Sequence, residues 1–147
     1  MTKDVLLSIC GVRHAEESDE PVEVITTGKY YNKNGKHYVT YDLVHEDDPF
    51  SSERYLLKLS QDRVDVMNNG DTHTHMVFEK GECKESAYMT PFGEMHLGLE
   101  TDEIDYSESP ESIRAAVSYR LFMNYEHVSD CEIVINVRSK DADSFRL

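Results

Sequence analysis

His73 and His75, one residue apart in His73-Thr74-His75, come nearest of any residues in the chain to a metal-binding pair. On a β-strand alternate side chains share a face, which sets two such imidazoles roughly 6.5–7 Å apart, a spacing from which they can ligate one ion. His14, His37, His45, His96 and His127 offer further nitrogens. No spacing ties them to the pair, so outward-facing histidines are expected, with no metal ligand assigned and no cofactor. Glu85 and Glu103 are the carboxylates that patterning allows inside a sheet, and Cys83 and Cys131 are the thiols. No nucleophile stands beside a base at a recognisable spacing, and there is no phosphate-cradling glycine loop or HExxH helix. No catalytic residue is assigned and an enzyme is not expected; acid–base catalysis would need Glu85 or Glu103 to line a pocket.

The chain of 147 residues holds 15 Lys and Arg against 29 Asp and Glu, a formal charge of −14. That excess argues against non-specific binding to nucleic acid or an anionic membrane, both of which need a basic surface. The acidity gathers at residues 16–20, 46–48 and 102–111, which read as solvated loops. Cys10, Cys83 and Cys131 are odd in number and far apart, as expected of reduced thiols in a cytoplasmic protein. The apolar run 5–12 is interrupted by Ser8 and Gly11 and is too short to span a bilayer. The length fits one domain able to bury roughly 70% of its unfolded surface.

The elements that position these residues are strands. Asn34-Gly35 closes a long hairpin over residues 22–46, because both central residues of a type I′ turn need φ > 0. Lys33 then faces Lys36, and Tyr30/Val39, Gly28/Tyr41, Thr26/Leu43 and Val24/His45 form a less charged face, taken as the core side. Tyr31/Tyr38, Lys29/Thr40, Thr27/Asp42, Ile25/Val44 and Glu23/Glu46 form the outer face. A second hairpin turns at Gln61-Asp62, setting Leu59 against Val64, Leu57 against Val66 and an exposed Lys58 against Asp65. Around Asn69-Gly70 the pattern conflicts. A strict two-residue turn would send both histidines inward, whereas a turn at Lys80-Gly81 pairs Phe78 with Cys83 and Met76 with Glu85 and sends them outward. One extra residue near Gly70 reconciles the two. Thr90-Pro91-Phe92-Gly93 turns the chain into a strand bearing Met95, Leu97 and Leu99, kinked at Asp102-Glu103.

Residues 109–125 can be read two ways. Ser109-Pro110-Glu111 resembles a helix start, yet Ile113, Ala115, Val117, Tyr119, Leu121, Met123 and Tyr125 alternate without a break, as a strand does. The last strand, with Cys131, Ile133, Ile135 and Val137, pairs with it across a loop at 127–130, and a polar tail follows from 139. The sum is an all-β fold: about ten antiparallel strands in an up-and-down meander barrel over 1–138, closed because closure removes sheet edges. A two-layer sandwich is the alternative.

The run Thr26-Thr27-Gly28-Lys29-Tyr30-Tyr31, the turn Asn34-Gly35-Lys36, and Tyr38-Val39-Thr40-Tyr41 resemble the YwiB-like family of small bacterial proteins. So do Met76-Val77-Phe78-Glu79 with Gly81, and Thr90-Pro91-Phe92-Gly93. The likeness keeps order and spacing over nearly the whole chain. The family is catalogued as a domain of unknown function. The resemblance implies a calycin-like, lipocalin-like barrel and favours strand for 113–125; it implies no activity, cofactor or catalytic residue. His73 and His75 are outside the family pattern, and a chain without tryptophan lacks the Gly-x-Trp start of true lipocalins.

Tyr30, Tyr41, Tyr119 and Tyr125, with Met95 and Met123, fall on predicted core faces. A lumen lined by tyrosine and methionine suits a small, partly apolar ligand with one polar end. The same side chains can instead fill a small barrel. The outward Tyr31/Tyr38 and Ile25/Val44 pairs point to the alternative function, a protein–protein interaction module or homodimer.

Overall fold

In the computed structural model residues 3–14, 19–44, 52–69, 73–90 and 93–140 are described. The ten strands are β1 (Asp4–His14), β2 (Asp19–Lys33), β3 (Lys36–Val44), β4 (Ser52–Leu59), β5 (Arg63–Asn69), β6 (His73–Glu79), β7 (Cys83–Thr90), β8 (Gly93–Ser109), β9 (Ser112–Met123) and β10 (Glu126–Ser139). They form one sheet in the order β6-β5-β4-β3-β2-β1-β10-β9-β8-β7, antiparallel throughout. First and last strands pair from Val5/Ser139 to His14/Asp130. The meander therefore closes where the chain begins and ends, and its one seam lies between β6 and β7.

That seam corrects the expected pairing across Lys80-Gly81. The turn forms, with Gly81 at φ 79° and the Glu82 N–H on the Glu79 carbonyl, but no β6–β7 ladder follows among the described residues. Instead Gly81 N–H donates to the Thr101 carbonyl (2.9 Å) and Thr101 N–H to the Glu82 carbonyl (3.1 Å), tying the turn to β8. β7 takes its register from β8, with Cys83 opposite Glu100 and Glu85 opposite Gly98. Cys83 and Glu85 are exposed on the outer wall rather than turned inward, and Glu103 is exposed as well.

Hairpin chemistry set several registers as expected. Asn34 (φ 55°) and Gly35 (φ 79°) make the type I′ turn, and Tyr30/Val39, Tyr31/Tyr38 and Lys33/Lys36 pair. The pairing ends at Lys29/Thr40, however. A Cβ on Gly28 would stand 2.7 Å from the Thr40 carbonyl oxygen, so only bare backbone admits so close an approach of the two strands where their pairing ends. From Lys29 back to Asp19, β2 pairs with β1 instead. Among the described residues the expected pairs beyond Gly28 are not made: Ile25 faces Ser8, and Val44 faces Ser52; His45 and Glu46, expected opposite Val24 and Glu23, lie outside the described residues. β4 and β5 pair as Leu57/Val66, Lys58/Asp65 and Leu59/Val64. In β5–β6, Val66/Met76 and Val64/Phe78 pair, so Met76 and Phe78 face the core. His75 is on the exposed side; the side chain of His73 lies outside the described residues.

Residues 112–123 are strand, with Ile113, Ala115 and Val117 buried. β9 and β10 turn at Asn124-Tyr125 (φ 50° and 70°), not at 127–130, where the ladder instead carries a bulge between His127 and Ser129. The kink at Asp102 is a bulge in the β8–β9 ladder. β10 runs on through Ser139, which is fully buried, so the barrel reaches past residue 138. The core is aliphatic, with Val5, Leu7, Val39, Leu57, Val64, Ile135 and Val137 all at 0% exposure. No helix of the described residues is long and apolar enough to cross a membrane.

Candidate functional site

Up-and-down order sends alternate connections to opposite ends. The turns at 34–35, 60–62, 80–82 and 110–111 share one end with the start of β1 and the end of β10. At that end the interior is bridged by polar side chains. His37 and Tyr30 both point inward from the β2–β3 hairpin, and the Tyr30 hydroxyl lies 2.6 Å from His37 Nδ1. Across the barrel, His37 Nε2 lies 2.9 Å from Oε2 of Glu108. Tyr106 lies two residues before Glu108 on the same strand, and burial together with the neighbouring Glu108 carboxylate pushes its phenol up to about 12. β3 and β8 are not neighbours in the sheet; β2, β1, β10 and β9 intervene. The His37–Glu108 bridge is therefore a strap across the lumen. A neutral His37 donates from Nε2–H to Glu108 and accepts the Tyr30 proton at Nδ1, while a charged one donates to both, so either form keeps both bonds.

Just inside the strap the interior is solid: Leu59, Val64, Phe78 and Ile113 are each 2% exposed or less. Towards the opposite end several inward-facing residues are only partly buried, among them Tyr55, Val66, Tyr119, Leu121, Met123 and Ile133, although Tyr41 and Leu97 there are buried. Aromatic pairs line this half. Tyr41 stacks on Tyr55 at 5.1 Å and 9°, a cross-strand pair, and Phe78 meets Tyr119 edge-on at 4.8 Å, bridging β6 to β9 behind the seam. Burial, reinforced by Tyr55, drives the Tyr41 phenol above the ordinary tyrosine range; burial and the neighbouring Cys131 do the same for Tyr119. Both stay protonated as hydrogen-bond donors. The buried hydroxyl of Thr101, 1% exposed, has no hydrogen-bond partner among the described residues.

Of the six residues expected to line a lumen, Tyr41, Tyr119 and Met123 face the interior in the half opposite the strap. Met95, half-buried, lies on β8 two residues before inward-facing Leu97. Tyr30 belongs to the strapped end. Tyr125 does not line the interior: it is 69% exposed in the β9–β10 turn and packs on His96 at 5.2 Å. The unbroken alternation failed there because the turn opens one residue earlier, at Asn124. Among the described residues no group of three or more His, Cys, Asp or Glu side chains is placed to hold a metal. His75 instead bonds Asp65 (2.8 Å), whose other contacts are the Nε and Nη2 of Arg63 at 2.8 and 3.2 Å. Burial alone would raise the Asp65 pKa, but the Arg63 and His75 hydrogen bonds outweigh it and hold the carboxyl below its usual range. The aspartate expected to be exposed opposite Lys58 is thus buried at 3% exposure. Glu85 does border a 200 Å³ groove with Cys83, His96 and Glu100, but on the outer wall, and partial burial, reinforced by Glu100 and Glu85, raises the Cys83 thiol above its ordinary range.

Sequence reasoning found neither the strap nor the Arg63–Asp65–His75 cluster. The hairpin register already placed His37 inside, within diagonal reach of Tyr30; Glu108 could be added only once the barrel was closed.

Fold and interior define a β-barrel closed by its own first and last strands. The chain belongs to the family described as a domain of unknown function (DUF1934), whose model matches residues 7–135. It is similar to the uncharacterized beta-barrel protein YwiB of Bacillus subtilis (strain 168), 28% identical over 126 residues, covering 86% of this chain and 83% of that one. The crystal structure of the ywiB protein from Bacillus subtilis superposes with a TM-score of 0.77 at 26% identity, over 93% of this chain and 92% of that chain.

Proposed function

We propose that this protein is a cytoplasmic binding cup of the lipocalin-like kind, taking a small, largely apolar molecule with one polar end through the mouth opposite the His37–Glu108 strap. The observation that carries this reading is the uneven filling of the barrel. Behind the strap the side chains are packed to about 2% exposure or less, whereas the half lined by Tyr55, Tyr119, Leu121 and Met123 keeps apolar surface in reach of solvent. Apolar area left accessible inside a concave site is what a ligand covers. The unpartnered Thr101 hydroxyl and the protonated phenols of Tyr41 and Tyr119 are the polar groups available to orient it. The free thiols Cys10, Cys83 and Cys131 fit a reducing compartment.

Native mass spectrometry of freshly purified protein, paired with uptake of the neutral fluorophore N-phenyl-1-naphthylamine, tests the reading. Saturable uptake that Met123→Trp abolishes, with the far-UV spectrum unchanged, supports it. A bare chain mass together with no uptake means that the interior is simply a packed core.

A further inference from the structure

On the outer wall of β2–β5 two shallow depressions share Tyr38. One, of about 570 Å³, is lined by Tyr31, Asn32, Lys33, Tyr38 and Leu56. The other, of about 250 Å³, is bordered by Lys36, Tyr38, Lys58, Arg63 and Asp65 among others. Tyr31, paired with Tyr38 across the hairpin, is 46% exposed.

In a chain of net charge −14, this face is locally cationic. Lys33 and Lys36 stand directly opposite each other in register, both exposed, and neither has an ion-pair partner among the described residues. Like charges so placed destabilise a sheet unless an anion answers them. The Lys58 ammonium lies over the Tyr38 ring at 5.7 Å and that of Lys3 over the Tyr31 ring at 5.9 Å. The carboxylate bordering the second depression, Asp65, is already matched by Arg63 and His75, and Glu79 is held by Arg63 and Lys84. An aromatic step beside unanswered ammonium groups is the result.

We propose that this face binds a nucleotide unit, its base on the Tyr31–Tyr38 step and its phosphate between Lys36 and Lys58. Aromatic rings accept any base by stacking, and lysines track the phosphate. The net charge argues against a basic surface overall, but the local field decides where an anion settles. A second copy of the chain fits this face less well, because a two-fold contact would set Lys33, Lys36 and Lys58 against their own counterparts. A free nucleotide and a single strand present the same chemistry, and the test separates them.

Isothermal titration of the full chain at low salt would use adenosine monophosphate, an oligothymidylate of about ten nucleotides, and sodium phosphate as competitor. Saturable binding of either nucleotide probe, displaced by phosphate, is expected. Lys36→Glu combined with Lys58→Glu should weaken it about tenfold or more, and Tyr38→Ala should weaken it comparably, while naphthylamine uptake stays as in the wild type and so shows the barrel intact. Tighter binding of the oligomer, falling steeply with added salt, identifies a strand as the natural ligand; equal binding identifies the free nucleotide. No heat from either probe, or full affinity in the charge-reversed variant, overturns the proposal.

Discussion

His37 Nε2 and Glu108 Oε2 are 2.9 Å apart although their strands are separated in the sheet by four others. A contact of this kind holds two walls of the barrel at a fixed distance. It ties the walls together at one end, while the opposite half is lined by the partly buried Tyr55, Tyr119, Leu121 and Met123. The imidazole is 11% exposed and the carboxylate 50%, so the histidine carries most of the cost when the pair is broken.

Replacing His37 by alanine removes the acceptor of the Tyr30 proton and the partner of Glu108 together. A lost hydrogen bond with a stranded buried group costs about 1–3 kcal/mol, so His37→Ala should lower stability by about 2 kcal/mol in urea denaturation. Glu108→Gln, which keeps a bond to Nε2 and sits half in solvent, should cost well under 1 kcal/mol. Equal losses in the two variants would show that the strap's energy lies in its charge rather than in the burial of the imidazole.

Asp65 gives the fold an acid dependence. Its carboxyl is held below the usual range by Arg63 and His75, so the folded state binds its proton less readily than the unfolded chain. The associated stability is fully present above the unfolded value of about 4 and is lost as pH falls through the lower folded value. Asp65→Asn should therefore be less stable than the wild type by roughly 1–2 kcal/mol near neutrality, with the gap narrowing below about pH 4. Urea curves at neutral pH and near about pH 3 measure the gap, and one that stays constant on acidification contradicts the assignment.

How much of this was legible beforehand follows from what each feature depends on. The Asn34-Gly35 turn declares its own geometry, so the Tyr30/Val39 and Tyr31/Tyr38 registers could be read directly. The β4–β5 hairpin was equally legible, because alternation and the Lys58/Asp65 pairing agreed. The seam was not: β7 takes its register from β8 through Gly81 and Thr101, a long-range relation that no local pattern encodes. The burial of Asp65 was hidden for a similar reason, since the covering His75 comes from β6. Of the interior tyrosines, Tyr41 and Tyr119 were placed by alternation, while Tyr125 was misplaced because a turn without glycine interrupts the pattern unannounced.

That turn yields the next prediction. Tyr125 has φ 70° and its neighbour Asn124 φ 50°, and a left-handed backbone costs a side-chain-bearing residue roughly 1–2 kcal/mol, less for asparagine than for tyrosine. Tyr125 recovers part of this by packing on His96. Tyr125→Gly should relieve the strain and lose the ring contact, for a net gain of up to about 1 kcal/mol in melting experiments. Tyr125→Ala keeps the strain, loses the contact and should destabilise; a glycine variant no more stable than the alanine variant would show that the left-handed backbone carries no strain for glycine to relieve.

Three glycines in strands provide a graded test of why β2 leaves β3. Among the described residues a Cβ at Gly11 would meet only the Glu132 carbonyl oxygen at 4.0 Å, so Gly11→Ala should be neutral or stabilising by up to about 1 kcal/mol, as the unfolded chain loses freedom. At Gly98 the nearest atom is the Phe122 Cβ at 3.3 Å, tight enough to require a small shift, and Gly98→Ala should cost under about 1 kcal/mol. At Gly28 the contact is 2.7 Å to the Thr40 carbonyl oxygen, with Val39 Cγ1 at 3.2 Å and Tyr41 Cβ at 3.5 Å. Backbone cannot swing aside as a side chain can, so Gly28→Ala must push β2 off β3 beside their last pair, Lys29/Thr40. Overpacking of this kind costs about 1–3 kcal/mol. Amide exchange should also speed up at Lys29 and Thr40, the last pair of the β2–β3 ladder, while the β1–β10 ladder stays protected. If Gly28→Ala melted like Gly11→Ala, the two backbones would not be in close approach at this point, and the absent side chain would have no part in how β2 and β3 meet.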